Sequence, residues 1–244
     1  LHNQLISSVS EQLVADVPVG AFLSGGVDSS LIVALAKLEL QTDIHTFSIG
    51  FDDKSVDESR YAKQVANNLG VKHSQWIISS GEALDVIPQL PKIYDEPFGD
   101  SSSLPSFLVA QFAKKEVSVV LTGDGADELF GGYGRYHNKK IALAWRLWLN
   151  LRNKSAAQFL IKSFGEGKLM RMLAAKDFRE FYSIYTSHWM RAPMKWDSDE
   201  FVRSDVECGG TLLENMMHQD TNQYLPDCIL TKVDRSTMSH GLES

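Results

Sequence analysis

Two glycine-bearing stretches hold the residues of this chain best suited to chemistry. The first is Phe22-Leu23-Ser24-Gly25-Gly26-Val27-Asp28-Ser29-Ser30. Gly25 and Gly26 allow unusual backbone angles and close approach of an anion, and Ser24, Ser29 and Ser30 add hydroxyl donors. A helix opening here would also present unpaired N–H groups and a partial positive charge, a setting that suits phosphate. Asp28 conflicts with that picture unless a cation intervenes, since a bare carboxylate repels phosphates. The run therefore predicts Mg²⁺ bridging Asp28 and a polyphosphate. No Lys follows Gly26 as in the Gly-Lys-Ser/Thr ending of a Walker A loop, so a different kind of nucleotide site is expected. An ordinary turn with Asp28 as a helix cap would account for a lone Gly-Gly; the full run favours the anion site.

The second stretch runs from Leu121 through Thr122-Gly123-Asp124-Gly125-Ala126-Asp127-Glu128 to Gly131-Gly132-Tyr133. If Ala126 opens a helix, Asp124 lies near its start and Asp127 and Glu128 in its first turn, where acids favour the helix dipole. Capping needs one acid, however, and Gly123 and Gly125 again indicate close backbone approach. In the same crevice as Asp28, one of these acids would complete a Mg²⁺ site shared with substrate phosphates. A third polar segment, Tyr94 to Ser103, reads equally as a pocket wall or as an exposed turn.

These loops need elements to hold them. Val17, Val19, Ala21, Phe22 and Leu23 form a strand-like run, and Leu31, Ile32, Ala34, Leu35 and Leu38 recur at helical spacing behind the first loop. A lead-in helix is expected over 2–15, further strands over 44–51, 73–78 and 117–121, and helices over 58–69, 84–94 and 104–115. Strands alternating with helices predict an α/β fold, a parallel sheet with helices on both faces and ligands at the carboxyl ends of the strands. The α/β core is expected over residues 1–135, with 136–244 a helical extension of the same domain. Trp145, Trp148, Phe159, Phe181, Tyr182 and Trp189 read as packing residues of that extension. Arg146, Arg152, Lys154 and Lys162 read as a solvated helix face.

Composition narrows the classes. A net charge of −7 at pH 7 gives no basic footprint for nucleic acid or an anionic membrane. Cys208 and Cys228 are too few and too far apart for a disulfide framework or a Cys-x-x-Cys metal site, and no apolar run is long enough to span a bilayer. A reducing cytoplasm is the expected compartment. Leu1 opens on an amphipathic pattern without an initiator Met, so a piece of a longer polypeptide is expected. A homodimer is one assembly the sequence allows.

Taken together these residues resemble the synthetase domain of the glutamine-dependent asparagine synthetase family, within the ATP pyrophosphatase (PP-loop) group. Val17 to Ser30 is similar to its pyrophosphate loop, Phe51 to Glu58 to its acidic turn, and Asp95-Glu96-Pro97-Phe98 to its substrate-side loop. Gly123 to Tyr133 is similar to its second acidic motif, and Tyr224-Leu225-Pro226-Asp227 through Lys232-Val233-Asp234-Arg235 to its later helical signature. The resemblance implies an adenine nucleotide alpha hydrolase-like fold and a ligase that cleaves ATP to AMP and pyrophosphate. A substrate carboxylate, that of aspartate, attacks the α-phosphate, and ammonia then displaces AMP to form the amide. Ser24, Gly25, Gly26, Asp28 and Ser29 would hold pyrophosphate, with Asp28 and Asp127 on Mg²⁺. Leu23, Ile49, Thr122 and Gly123 would border the adenosine.

Asp124 would serve the amide-forming step, although it stands where well-known members carry Glu. The resemblance further implies a glutaminase domain as the ammonia source, which nothing in this sequence matches, and an essential Lys beyond Leu242-Glu243. The 244-residue piece alone is accordingly expected to make little product. A related amidotransferase acting on another carboxylate, such as a sugar acid or a β-lactam-type precursor, is the nearest alternative. tRNA thiolation shares the Ser-Gly-Gly loop but needs paired cysteines and a basic surface. A nucleotide-binding regulatory module would have little need for both Asp28 and Asp127.

Overall fold

The computed structural model describes residues 1–54, 57–150, 167–187 and 210–244. They form two compact units, Leu1–Ala126 with Tyr224–Ser244, and Asp127–Gln223. In the first unit β1 (Val19–Phe22), β2 (His45–Phe51), β3 (Lys72–Ile78) and β4 (Val119–Leu121) make one sheet in the order β3-β2-β1-β4, each neighbouring pair parallel. The α/β class read from the alternation of elements is the observed one.

The strand order explains how the helices are shared between the faces. From β1 the chain steps through α2 (Val27–Ala34) to β2 and through α3 (Ser59–Leu69) to β3. It then returns through α4 (Ser80–Val86), α5 (Leu90–Tyr94) and α6 (Ser103–Ala113) and places β4 on the far side of β1. Because parallel crossovers are right-handed, reversing direction moves the connecting helices to the opposite face. Alternate residues of each strand feed the two cores. Ala21 and Leu23 pack with Val33 and Ala36 behind α2, with Ala62 and Ala66 of α3, and with Val9 of α1 (His2–Gln12). Phe47 and Val120 pack with Ala110 and Ala113 of α6, and with Val117 and Leu242.

Several boundaries differ from the sequence expectation for identifiable reasons. The lead-in helix ends at Gln12, and the single helix expected over 84–94 is divided by a 3₁₀ turn, Ile87–Gln89, at Pro88. Pro88 brings no N–H, so the ladder of α4 cannot run through it. Gly70 closes α3 in the left-handed region, with φ 64°, as its position just past the periodic residues suggests. The end of the chain also rejoins the sheet. Val120 N–H donates to Glu243 O at 2.8 Å, Glu243 N–H donates to Ser118 O at 3.0 Å, and Leu242 is fully buried.

The second unit is helical. It contains most of α7 (Ala126–Phe130), then α8 (Lys139–Asn150), α9 (Lys168–Ala174), α10 (Phe178–Thr186) and α11 (Leu212–Gln219). Trp148, Phe181 and Tyr182 lie in its core with Trp145 packed against them, and Trp148 Nε1 donates to Ala175 O at 2.9 Å. Arg146 is exposed. Phe159, Trp189, Arg152, Lys154, Lys162 and Cys208 fall outside the described residues. A π-helical stretch, Asp220–Leu230, leads from this unit back to the first and into α12 (Thr231–Met238).

Three imidazoles of the first unit make its stability depend on pH. Burial lowers the pKa of His45, His73 and His240 below the ordinary 6.5. The unfolded chain then binds more protons than the folded one once the pH drops below about 6.5, so stability is complete above that value and declines beneath it. Urea midpoints should fall between pH 7.5 and pH 5, before most carboxylates titrate. A flat profile over that range would contradict the assignment.

Candidate active site

The first loop follows β1 and turns directly into α2. Gly25 has φ 85°, and a Cβ built on it would lie 2.6 Å from Tyr61 Cβ and from Ala62 N of α3. Both the backbone angle and the neighbouring helix therefore require glycine. Gly26 caps α2 with no side-chain hydrogen bond to the first-turn amides, which leaves those donors for an anion. Ser24 and Ser29 tie the turn together. Their hydroxyls lie 3.0 Å apart, Ser24 N–H donates to Ser29 Oγ at 3.2 Å, and Gly26 N–H donates to Ser24 Oγ at 3.2 Å. Asp28 sits half-buried in the first turn of α2.

The second loop follows β4, which pairs in parallel with β1 through Val19↔Val119 and Ala21↔Leu121. Strand order reverses between these two strands, and the crevice at such a switch point is where open α/β sheets place their ligands. Gly123 shows how closely the loops meet. A Cβ there would stand 2.8 Å from Ser29 N and 3.1 Å from Asp28 Cβ, so only glycine lets the second loop rest on the first turn of α2. Thr122 Oγ1 accepts from Asp124 N–H at 3.4 Å, and the Asp124 carboxylate end of this turn is exposed. Asp127 and Glu128 occupy the first turn of α7, as the helix-start reading of Ala126 required. Asp127 belongs to the second unit, where Gly132 N–H donates to its carbonyl at 3.0 Å and a Cβ on Gly132 would collide with its carboxylate. Glu128 is buried, and its Oε1 accepts from Tyr133 Oη at 2.6 Å.

Beside the first loop lies a cavity of about 370 Å³. Leu23, Ser24 and Ile49 line it, whereas Thr122 and Gly123 are not brought into that lining. Phe22, Phe47 and Phe51 supply an aromatic wall, and Ser102, Pro105 and Ser106 approach from the start of α6. The place of the three aromatics in a cavity wall left no signal in the sequence, because a strand residue facing a cavity has the same apolar signature as one facing a core. Ser102 does join the wall, one of the two readings open for the 94–103 segment.

That segment is anchored on α12 at three points. Arg235 Nη1 donates to Asp95 at 2.7 Å, the Tyr94 and Ser236 hydroxyls lie 2.7 Å apart, and Lys232 Nζ donates to Asp100 Oδ2 at 3.0 Å. Asp95 adopts φ 62° as the cap of α5, a conformation that Asp tolerates better than most residues. Burial opposes ionisation of Asp100, but the Ser102 N–H and the Lys232 ammonium outweigh it and hold the carboxyl below its ordinary range. In the acidic turn, the Ser59 hydroxyl is the main cause of a lowered Asp57 pKa. Ser55 and Val56 of that turn lie outside the described residues.

Comparison with known proteins fixes the lineage. The family model described as asparagine synthase matches residues 1–244. The chain belongs to the asparagine synthase family. Asparagine synthetase [glutamine-hydrolyzing] 1 of Bacillus subtilis is 31% identical over the whole chain and 40% of its own length. A putative asparagine synthetase [glutamine-hydrolyzing] of Mycobacterium bovis is 32% identical over 98% of the chain and 38% of its own. A second putative synthetase, from Methanocaldococcus jannaschii, reaches 44% identity over 55% of the chain and 26% of its own. The chain thus spans about 40% or less of these relatives' length. An NH3-dependent NAD synthetase structure from Campylobacter jejuni superposes with a TM-score of 0.39 and 18% identity, over 78% of this chain and 97% of its own. Among the described residues no helix is long and apolar enough to cross a membrane, and no group of three or more His, Cys, Asp or Glu forms a metal cage.

Proposed function

We propose that this chain is the ATP-using, amide-forming part of a cytoplasmic asparagine synthetase, which adenylates the side-chain carboxylate of aspartate and transfers it to ammonia released from glutamine. The observation that carries the reading is the seat of Gly123 on Asp28–Ser29, which sets the two loops together at the switch point beside the cavity lined by Leu23 and Ile49. In this reading Ser24, Gly25, Gly26 and Ser29 hold the pyrophosphate end of ATP. Leu23, Ile49, Thr122 and Gly123 border the adenosine, and Asp124 assists entry of ammonia. Catalysis of this kind rests on positioning and charge neutralisation and needs no protein nucleophile.

A sparse carboxylate donor set suits Mg²⁺, which keeps several waters and takes substrate phosphate oxygens in place of a full protein cage. Asp28 would hold the ion, and it would neutralise charge on the departing pyrophosphate. The loop supports this role, since Asp28 stands at an uncapped helix start otherwise suited to anions.

Asp124, one methylene shorter than Glu, leaves room for a relative that uses a different acid. Binding of stable acyl-sulfamate mimics of the adenylate separates the two. The aspartyl mimic should bind at least tenfold, by about 1.4 kcal/mol, more tightly than AMP and than mimics of other acids. A clear preference for another acid would transfer the assignment to that substrate, and binding no tighter than AMP by every mimic would contradict adenylation.

A further inference from the structure

Strands β2 and β3 carry a chain of hydrogen bonds that ends at the cavity. Thr46 is fully buried, and its hydroxyl donates to Lys72 O at 3.0 Å. A carbonyl only accepts, so the one hydroxyl proton of Thr46 is committed there. Thr46 Oγ1 also lies 2.9 Å from His73 Nδ1, and this second contact is a hydrogen bond only if Nδ1 carries the proton. The other ring nitrogen, Nε2, lies 3.2 Å from Ser48 Oγ. Burial, reinforced by the charges of His45 and Lys63, disfavours the imidazolium, so Nε2 is bare and accepts. Ser48 must then spend its proton on His73.

Ser48 is 5% exposed and lines the cavity together with Leu23 and Ile49. With its proton turned inward, its oxygen has only lone pairs left to offer a ligand. Such an acceptor matches an amino group and disfavours a carbonyl, because two facing lone-pair oxygens cannot both be satisfied.

We propose that the Thr46–His73–Ser48 relay fixes Ser48 as an acceptor for the exocyclic amine of adenine, so that the cavity selects amino-purine over oxo-purine nucleotides. The inference rests on reading the cavity as the adenosine site. Ser48 is the specificity-determining residue, and Thr46 and His73 are positioning residues that act through it.

Equilibrium binding of ATP and of ITP, which carries a carbonyl in place of the amine, tests the relay in Mg²⁺-containing buffer. The unaltered chain should prefer ATP by roughly tenfold or more, the cost of an unmatched polar pair in a buried site. Ser48→Ala should reduce the preference to within about threefold. Thr46→Val should do the same from outside the cavity, by freeing His73 to switch tautomer, while Thr46→Ser keeps the hydroxyl and the preference. Thermal melts identify any variant that does not fold, and Ser48→Ala carries the test if Thr46→Val is lost. An ATP:ITP ratio near one in the unaltered chain, or an unchanged ratio in Ser48→Ala, overturns the relay while ATP binding itself survives. Failure of the unaltered chain to bind either nucleotide overturns the adenosine-site reading and the relay with it.

Discussion

Replacing Asp220 by Ala destabilises the second unit by about 3–5 kcal/mol, the usual cost of removing one partner from a buried ion pair. Asp220 is 3% exposed, and its Oδ2 gathers four donors. Arg135 reaches it through Nε at 3.1 Å and Nη2 at 2.8 Å, and the hydroxyls of Tyr136 and Tyr182 each reach it at 2.7 Å. Burial and the neighbouring carboxylate push both phenols well above their ordinary range, so they stay protonated and remain donors. Without the carboxylate, the Arg135 guanidinium and two buried hydroxyls lose their acceptor together. The guanidinium, held 4.0 Å above the Tyr133 ring, cannot swing to water without giving up that contact. Asp220→Asn keeps the shape and an acceptor oxygen and should lose less, about 1.5–3 kcal/mol, the value of hydrogen bonds to a charged group. Urea unfolding followed by tryptophan fluorescence reads both variants, since Trp145 and Trp148 lie in this core. A loss below 1 kcal/mol for Asp220→Ala, well short of the buried-pair range, would show that the network is not a keystone.

None of that network was legible in the sequence. Its donors come from positions 135, 136 and 182, up to 85 residues from the acceptor, and no spacing rule links them. The Lys232–Asp100 pair, 132 residues apart, was hidden for the same reason. The loops after β1 and β4 were legible because their chemistry is local. Gly25 answers to a positive φ and to a helix at 2.6 Å, and Gly123 answers to the backbone of Ser29. The parallel sheet was likewise announced by alternation, whereas the strand order, which decides that these loops meet, rests on the pairing of β4 with β1, and no local pattern announces it. The pairing of Glu243 beside β4 involves too few residues to leave any periodic trace.

Asp28 is the residue on which the proposed chemistry turns. An Asn at this position keeps the volume and the place in the first turn of α2, so folding should be nearly unchanged. What it removes is a negative charge facing the position assigned to Mg²⁺ and pyrophosphate. Loss of an outer-sphere partner alone typically costs roughly 10–100-fold in metal affinity, and loss of a direct carboxylate ligand should reach at least the upper end of that range. The same substitution should help, or leave unchanged, the binding of a polyphosphate without divalent metal, because it also removes a repulsion. That opposite response separates a metal-bridging carboxylate from a merely structural one.

The most direct measurement is therefore a titration of the chain and of Asp28→Asn with ATP, each with Mg²⁺ and with excess chelator. Tight binding is expected only for the unaltered chain with Mg²⁺, with a loss of roughly 100-fold in Asp28→Asn and no advantage of Asp over Asn once the metal is withdrawn. Binding by Asp28→Asn that equals the unaltered chain in Mg²⁺ would contradict the metal-bridging role of Asp28.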